Sequence, residues 1–505
     1  MSTIADNSAL IHMTATRRAL ILTTLTLVTM LYAMSVTIAN VALPQIQGAL
    51  SATTDEIALV VTFNIIATAV STPMTGWLTA RFGRRAVIMW AVSGFTVASF
   101  LCGTADSLET LVAFRILQGA CGAPLVPLSQ AIVVETSPRD KIGSATAIFG
   151  MGVMFGPILA PTLGGYLSET LSWRWVFFMI VPFGFAALGG VMIFITDRTR
   201  AADARLDWTG VIALSIAIAT FQFMLDRGER LDWFDNWQIV ACAWTSVLAF
   251  YVFVSHSLTS DRPLLNPRLL LKRNYSLGLL FTLVFGMLNF APITLLPSLL
   301  QGLRGYPDSI IGILLAVRGV GTLAAFAFML KGSRFDPRIP MFVGFFIQGV
   351  AGLYMANLNI NLTMFDVLWT TTLQGVGVGL IWVSLSMVTF SQLSADETAE
   401  GSAIFHLVRN VGSSIFISVS IATMLRTSKM SYSDMVQSVS PTNQAFAFQD
   451  SLYSIWSMDG AQTLAALSGE IGRQATMIGY LNSFYLFAFT AFAVCPLMLF
   501  VKLKR

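Results

Sequence analysis

Apolar runs, each long enough to cross a lipid bilayer, recur along nearly the whole chain. Hydrophobic residues make up 55% of the 505 residues and charged residues only 11%, whereas a soluble domain carries about 25% charged residues. About 20 apolar residues cross the hydrocarbon of a membrane. The sequence therefore predicts an all-α membrane protein with fourteen transmembrane helices, at 19–43, 56–79, 86–103, 108–135, 142–167, 174–195, 208–225, 237–256, 275–300, 308–330, 340–357, 365–391, 401–424 and 480–501.

The distribution of basic residues predicts how these helices are oriented. With the N-terminus in the cytoplasm, the cytoplasmic segments hold 20 of the 30 Lys and Arg residues and the outer segments hold 7. The remaining 3 are Arg115, Arg318 and Arg409, which lie inside predicted helices. Because cytoplasmic loops are enriched in Lys and Arg, we expect both termini in the cytoplasm. The first apolar run is too long for a signal peptide, so we expect it to remain as a helix.

Two short motifs suggest an internal repeat. "RFGRR" (81–85) follows the second predicted helix, and "RFDPR" (334–338) follows the tenth. An offset of eight helices predicts two six-helix bundles with a pseudo-two-fold relation, separated by two inserted helices. Transporters built from such repeats place their substrate between the halves, near the membrane midplane. The predicted units are a cytoplasmic tail, an N-terminal bundle, the inserted pair and a C-terminal bundle, at 1–18, 19–200, 201–260 and 261–505.

The longest outer segment, 425–479, belongs to the C-terminal bundle and is rich in Ser and Gln. It is either a solvated loop or a docking surface for a partner outside the membrane.

Several function classes lack the motifs that they require. The sequence contains no GxxxxGK[ST] nucleotide-binding loop and no HExxH or GxSxG motif. The four cysteines are scattered without the spacing of a zinc site or a disulfide framework. We therefore expect no enzymatic activity, no cofactor, no metal site and no nucleic-acid partner.

Six motifs carry a family resemblance that runs nearly end to end. They resemble the helix 1, loop, helix 4 and helix 5 antiporter motifs of the major facilitator superfamily, and two segments of its fourteen-helix drug/proton antiporters of the EmrB/QacA type. The resemblance is closest to the EmrB branch. In chain order the motifs are "TIANVALPQI" (37–46), "GWLTARFGRR" (76–85), "RILQGACGAP" (115–124), "GVMFGPILAPTLGGYL" (152–167), "FMLDRGERLDWF" (223–234) and "GSAIFHLVRNVGSS" (401–414).

The resemblance implies a function and a set of gating residues. It implies a proton-gradient-driven exporter of hydrophobic small molecules, such as drugs, that works by alternating access in a bacterial inner membrane. A periplasmic adaptor protein and an outer-membrane channel are the partners it suggests. An uncoupled facilitator of a small amphiphile and a non-transporting membrane ligand sensor are the alternatives. The implied gating residues are Gly76, Arg81, Gly83, Arg84, Arg85, Gly152, Gly156, Pro157, Pro161, Gly164 and Gly165.

The chain departs from the family where the proton carrier is expected. Ser35 stands where the helix 1 motif of the family has an aspartate, and Ala80 stands where its loop motif has another. Arg115 is predicted at a depth similar to that of Ser35, so we expect it to bond to Ser35, Asn40 or backbone carbonyls. Arg115 is then either a structural brace between helices or, with Gln118, a site that couples transport or binds an anionic substrate.

Arg318, His406 and Arg409 complete the predicted substrate and coupling site. No Asp or Glu lies in the middle of any predicted helix, so we expect a positive potential that favours weak acids or neutral amphiphiles over cations. His406 shares a helix face with Arg409, three residues later. It is either a satisfied polar residue or a substitute proton carrier.

Overall fold

The computed structural model describes residues 14–138, 141–196, 206–260, 263–332, 336–394, 397–439 and 461–501. Within these ranges, fourteen helices are long and apolar enough to cross a membrane, which confirms the predicted fold class. In chain order they are α1 Ala15–Ala49, α2 Thr54–Ser71 with Thr75–Phe82, α3 Arg84–Thr104, α4 Leu108–Gly122 with Leu125–Thr136, α5 Ile142–Thr170, α6 Trp175–Phe178 with Ile180–Phe194, α7 Trp208–Arg227, α8 Trp237–Thr259, α9 Arg273–Arg304, α10 Asp308–Gly332, α11 Arg338–Ala356, α12 Met364–Phe390, α13 Thr398–Gln437 and α14 Ala461–Val494.

An even number of crossings brings both ends of the chain to one side of the membrane. We call the face at which α1 begins and α14 ends the terminal face, and the opposite one the far face. Capping boxes begin α2, α4 and α12 at the far face, where Thr53, Ser107 and Thr363 bond to the first helical turn. Such caps satisfy backbone N–H groups that a helix leaves unpaired at its start, so each helix begins where the apolar run does.

The helices form two separate apolar cores, one for α1–α6 and one for α9–α14. Leu25, Ile38 and Phe177 are fully buried in the first core, and Phe281 and Phe484 in the second. Helices α7 and α8 pack against each other, and α7 also contacts α2 and α13. The inserted pair therefore lies beside both six-helix halves and belongs to the core of neither.

The two halves meet mainly through segments near the terminal face. α5 packs on α10, and α13 packs on residues 72–82 of α2 and on residues 125–136 of α4. The far-face part of α2, Thr54–Ser71, packs instead on α4 and α7. Ser144 in α5 donates a hydrogen bond to the carbonyl of Leu330 in α10. The packing therefore closes the protein between the halves at the terminal face.

Part of the predicted outer loop 425–479 is helical. Helix α13 continues to Gln437 and α14 begins at Ala461, while residues 440–460 lie outside the described residues. The 40 residues of α13 are about 60 Å long at 1.5 Å per residue, roughly twice the hydrocarbon thickness. The hydroxyls of Tyr432 and Ser468 lie 3.0 Å apart and join the two projecting ends. We call the projecting residues 425–437 and 461–479 the far-face hairpin.

Candidate functional site

Arg115 lies inside the N-terminal half and is only 1% exposed. Its Nη1 donates to Oε1 of Gln118 at 2.6 Å, and its Nε donates to the carbonyl of Val60 at 3.4 Å. The guanidinium also lies 5.9 Å from the ring centre of Phe177. Gln118 in turn donates to the hydroxyl of Ser99. The arginine thus links α4 to α2, α3 and α6, which is the arrangement of a structural brace.

Contrary to expectation, the hydrogen bonds between the Arg115 guanidinium and the described residues do not include one to Ser35. The Ser35 hydroxyl donates to the carbonyl of Tyr32 at 2.8 Å, within its own helix. A serine side chain is short, and this local carbonyl satisfies its donor. The side chain of Asn40, the other expected partner, lies outside the described residues. Gln118, three residues along the same helix face, accepts the bond that was expected of Ser35.

Arg318 lies near the middle of α10 and is half-buried. Its Nη2 donates to both the backbone carbonyl and the side-chain oxygen of Asn289, at 2.8 and 2.7 Å. Its Nε is buried and has no hydrogen-bond partner. A guanidinium carries five N–H donors, so Asn289 positions the group while leaving donor capacity free.

Arg409 lies near the middle of α13 and is also half-buried. Its guanidinium lies 5.6 Å from the ring centre of Trp382, and its Nη2 donates to Asn410 at 3.1 Å. Its Nε is buried without a partner. The backbone carbonyl of Arg409 lies against Gly286, one turn of α9 from Asn289. The side chain of Arg318 and the backbone of Arg409 therefore adjoin the same turn of α9.

Tyr32 of α1 lies in the N-terminal half and is half-buried. Its ring lies against Gly122 on α4 and 6.1 Å from the ring centre of Phe95.

His406 does not face an open cavity, since only 2% of its surface is exposed. Its Nε2 lies 2.5 Å from Oε1 of Gln130, a residue of α4 in the opposite half. Because the amide oxygen can only accept, His406 donates and its Nδ1 remains without a partner. The ring also lies 6.0 Å from that of Trp382. His406 and Arg409 thus share Trp382 as a neighbour, as their spacing on one face predicts.

The loop-motif residues connect helix ends at the terminal face. Gly83 separates α2 from α3 with a φ of 86°, a conformation that glycine adopts readily. Arg84 donates to Glu135 of α4 at 2.8 Å, and Arg85 donates to the carbonyl of Met192 in α6 at 2.6 Å. Arg81 is exposed. These contacts join α2, α3, α4 and α6 within the N-terminal half.

The remaining loop-motif glycine lies between the halves. A Cβ on Gly76 would lie 3.2 Å from the Cα of Glu400, near the start of α13. The absence of a side chain at residue 76 therefore lets α2 approach the other half closely.

The antiporter-motif glycines let α5 approach α1. A Cβ on Gly156 would lie 2.6 Å from the carbonyl oxygen of Met30, and one on Gly164 would lie 2.6 Å from a side-chain carbon of Ile38. A Cβ on Gly152 would overlap the side chain of Thr26. Helix α5 continues through Pro157 from Ile142 to Thr170. At Pro161 and Gly165 the chain is helical, but their side-chain placement lies outside the described residues.

A cavity lies at the far face, between α1, α2 and α7. Its volume is about 260 Å³, and its polar lining comes from Thr62, Asp226, Arg227 and Arg230. The Thr62 hydroxyl donates a hydrogen bond to the Asp226 carboxylate. Asp226 is therefore an acid at the edge of the membrane, held between α2 and the inserted pair.

Glu397 lies just before α13, in the segment at the terminal face. Partial burial raises the pKa of this carboxyl, but hydrogen bonds from Lys272 and Ser394 outweigh that effect and leave the pKa below its usual range. The Lys272 ammonium lies 2.5 Å from it and ties the start of α9 to the start of α13.

Sequence reasoning missed four residues of this region, Gln130, Asn289, Gln374 and Trp382. One of them had a weak signal in the sequence, because the tripeptide "LQG" occurs at 117–119 in α4, at 300–302 in α9 and at 373–375 in α12. Gln374 is fully buried, and its side-chain amide has no partner among the described residues. A Cβ on Gly119 would overlap the backbone of α2, and one on Gly375 would overlap that of α10, whereas one on Gly302 would meet nothing. The copies in α4 and α12 thus lie at equivalent helix crossings in the two halves, and the copy in α9 does not.

Comparison with known proteins identifies this architecture. The family model described as Major Facilitator Superfamily matches residues 25–417. The chain belongs to the major facilitator superfamily. It is 31% identical to the multidrug export protein EmrB of Haemophilus influenzae, over 96% of each chain. It is 32% identical to EmrB of Escherichia coli, over 91% of this chain and 90% of that one. The chain is therefore an EmrB-type transporter of the superfamily.

Two further similarities agree with this assignment. The fatty acid resistance protein FarB of Neisseria gonorrhoeae is 31% identical over 88% of each chain. Among solved structures, a double tryptophan mutant of XylE superposes with a TM-score of 0.64 at 12% identity, covering 96% of each chain. A human organic anion transporter superposes with a TM-score of 0.60 at 15% identity, covering 95% of this chain and all of that one. At these identities the structural likeness confirms the superfamily fold alone.

Proposed function

We propose that this transporter exports hydrophobic small molecules and prefers weakly acidic or neutral amphiphiles. The observation that carries the preference is the pair of half-buried arginines, Arg318 and Arg409, on either side of one turn of α9. Each keeps a buried Nε without a hydrogen-bond partner among the described residues. A guanidinium cannot lose its proton in a protein, so both positions attract anions and repel cations. The similarity to a fatty acid resistance protein supports the same class of substrate.

The arrangement supports binding through two kinds of contact. An acidic head group can bond to the free donors of Arg318 or Arg409, while the half-buried ring of Trp382 offers an apolar surface. Neutral amphiphiles would use the apolar surface alone. Because the arginines lie near the middle of their helices, the substrate would bind near the midplane, between the halves, as repeat-built transporters bind theirs.

We further propose that export is coupled to proton entry, although Ser35 cannot carry the proton. Three titratable groups are candidates: His406, buried against Gln130; Asp226, bonded to Thr62 at the far face; and Glu135, bonded to Arg84. His406 is the proposed carrier because it adjoins both Arg409 and the contact between the halves. It would bind or release its proton when the halves separate and water reaches it.

In the proposed orientation the terminal face is in the cytoplasm of the bacterial inner membrane. The far-face hairpin then projects into the periplasm, where it can bind an adaptor protein that leads to an outer-membrane channel. The hairpin suits this role because Met430, Tyr432 and Val436 present exposed apolar surface beyond the length that a membrane covers.

Transport into sealed vesicles tests the proposal. Anilinonaphthalene sulfonate, a fluorescent amphiphile with a permanent negative charge, is added outside proteoliposomes with an acidic lumen. A coupled exporter accumulates the dye above equilibrium, and accumulation stops when the pH gradient is removed. Equal rates with and without the gradient would establish the uncoupled facilitator, which the serine at residue 35 also favours. No uptake in either condition would leave the non-transporting sensor.

A further inference from the structure

Gln130 occupies a special position at the boundary between the halves. It lies on α4 and is 1% exposed. Its Oε1 accepts a hydrogen bond from His406 of α13, and its Nε2 donates to the hydroxyl of Ser386 of α12 at 3.1 Å. Both partners belong to the opposite half. One neutral amide therefore bonds to two helices across the boundary.

A third hydrogen bond between the halves lies beside these two. The hydroxyl of Ser402, one turn before His406 on α13, donates to the carbonyl of Pro127 on α4 at 2.8 Å. Ser386 and Ser402 are fully buried. Because no water reaches these groups while the helices touch, each bond is made by protein atoms alone, and separating the halves exchanges it for bonds to water.

Three further buried polar atoms in these segments have no hydrogen-bond partner among the described residues. They are the Nδ1 of His406, the hydroxyl of Ser129, next to Gln130 in sequence, and the hydroxyl of Ser384, two residues before Ser386. Buried polar groups in native structures nearly always have partners. The Nδ1 of His406 belongs to the contact between the halves, so the separation of α4 from α13 would give it access to water.

We propose that Gln130, His406, Ser386 and Ser402 form a hydrogen-bonded lock that holds the terminal face closed. Gln130 is its positioning residue, since a side-chain amide both donates and accepts without carrying a charge. The ion pairs nearby act differently, because Arg84–Glu135 joins helices of the N-terminal half and Lys272–Glu397 joins segments of the C-terminal half. Those pairs brace each half as a unit, whereas the lock opposes the movement of one half against the other.

The lock rests on the proposed alternating-access movement, but its test requires no transport. The probe is a thiol introduced by Ser129→Cys, at a fully buried position beside Gln130. The protein is placed in lipid nanodiscs and treated with a membrane-impermeant maleimide. The labelling rate then reports how often the terminal face opens. The four native cysteines are first replaced by alanine; they are Cys102, Cys121, Cys242 and Cys495.

Gln130→Met keeps the length of the side chain and removes both bonds. A buried hydrogen bond contributes modestly to a closed state, so losing two of them should speed labelling by about tenfold or more. Ser386→Ala removes only one bond and should give an increase of about threefold to tenfold. Ser386→Ala also serves as the second variant should Gln130→Met fail to fold.

The matched control is Gln348→Met. Gln348 is also a buried glutamine, but its amide donates to the carbonyl of Gln374 at 2.8 Å, within the C-terminal half. Its labelling rate should equal that of the parent. Combining Gln130→Met with His406→Phe should label more slowly than independent effects predict, because both changes remove the same bond. Unchanged labelling in Gln130→Met and Ser386→Ala, or an equal increase in the control, would overturn the lock.

Discussion

Replacing Arg409 with glutamine should weaken the binding of anionic amphiphiles while leaving matched neutral ones unaffected. In the structure the guanidinium stacks on Trp382 and bonds to Asn410, and its Nε is free for an anion. Two opposite charges 4 Å apart attract each other by about 4 kcal/mol at an effective dielectric constant of about 20. Desolvation offsets part of this attraction, so a hydrogen bond to a charged group is worth about 1.5–3 kcal/mol net.

That range corresponds to a Kd for the anion that is about 10- to 150-fold higher in Arg409→Gln. The assay compares two fluorescent dyes with the same aromatic skeleton, anilinonaphthalene sulfonate and neutral phenylnaphthylamine, by titration in nanodiscs with empty nanodiscs as background. Arg304→Gln is the matched control, because Arg304 is a half-buried arginine near the far end of α9 that stacks on Tyr306. It should change neither Kd.

The comparison of the two dyes decides the outcome. A loss confined to the sulfonate supports an anion site at Arg409. An equal loss for both dyes would mean that the substitution damages packing around Trp382, and no loss for either would refute the role of the charge. Either of the last two results removes the basis for the proposed preference for acids.

Three further predictions concern orientation, the N-terminal half and pH. A reporter enzyme fused at residue 206 should be cytoplasmic and one at residue 450 periplasmic; activity on the same side for both would contradict the proposed orientation. Arg115→Lys should lower the free energy of unfolding by about 1–3 kcal/mol, because a single ammonium cannot replace both bonds of the buried guanidinium; thermal unfolding in detergent measures this, and an unchanged Tm would show that the brace is dispensable. Glu397→Gln should lower the Tm at neutral pH. The pKa of Glu397 is lowered in the folded protein, so its stabilising bond to Lys272 is fully present above the ordinary carboxyl range and is lost as the pH falls through the lowered value. The Tm difference from the parent should therefore shrink on acidification, and a constant difference would exclude the linkage.

The sequence alone determined the number and approximate positions of the membrane crossings. Membrane hydrocarbon offers no partners to backbone polar groups, so each apolar run of about 20 residues has to form a helix. The division into halves also left a local trace, in the paired motifs at 81–85 and 334–338. The end of α13 was not predictable in this way, because residues 425–437 mix polar and apolar side chains without a continuous apolar run, and their helix is stabilised by packing on α14.

Which polar groups pair across the bundle was decided by tertiary structure. Arg115 is bonded to Gln118, which is near in sequence, whereas the predicted partner Ser35 is satisfied by its own helix. Gln130 and His406 are 276 residues apart, and nothing in either neighbourhood indicates the other. A buried polar side chain needs a hydrogen-bond partner. Which residue becomes that partner depends on which helix faces meet and on how the two helices are aligned along their axes. Helical periodicity predicts which residues share one face of a helix. Only the packing of the two halves decides how a face of one helix is aligned, along the helix axis, with a face of another.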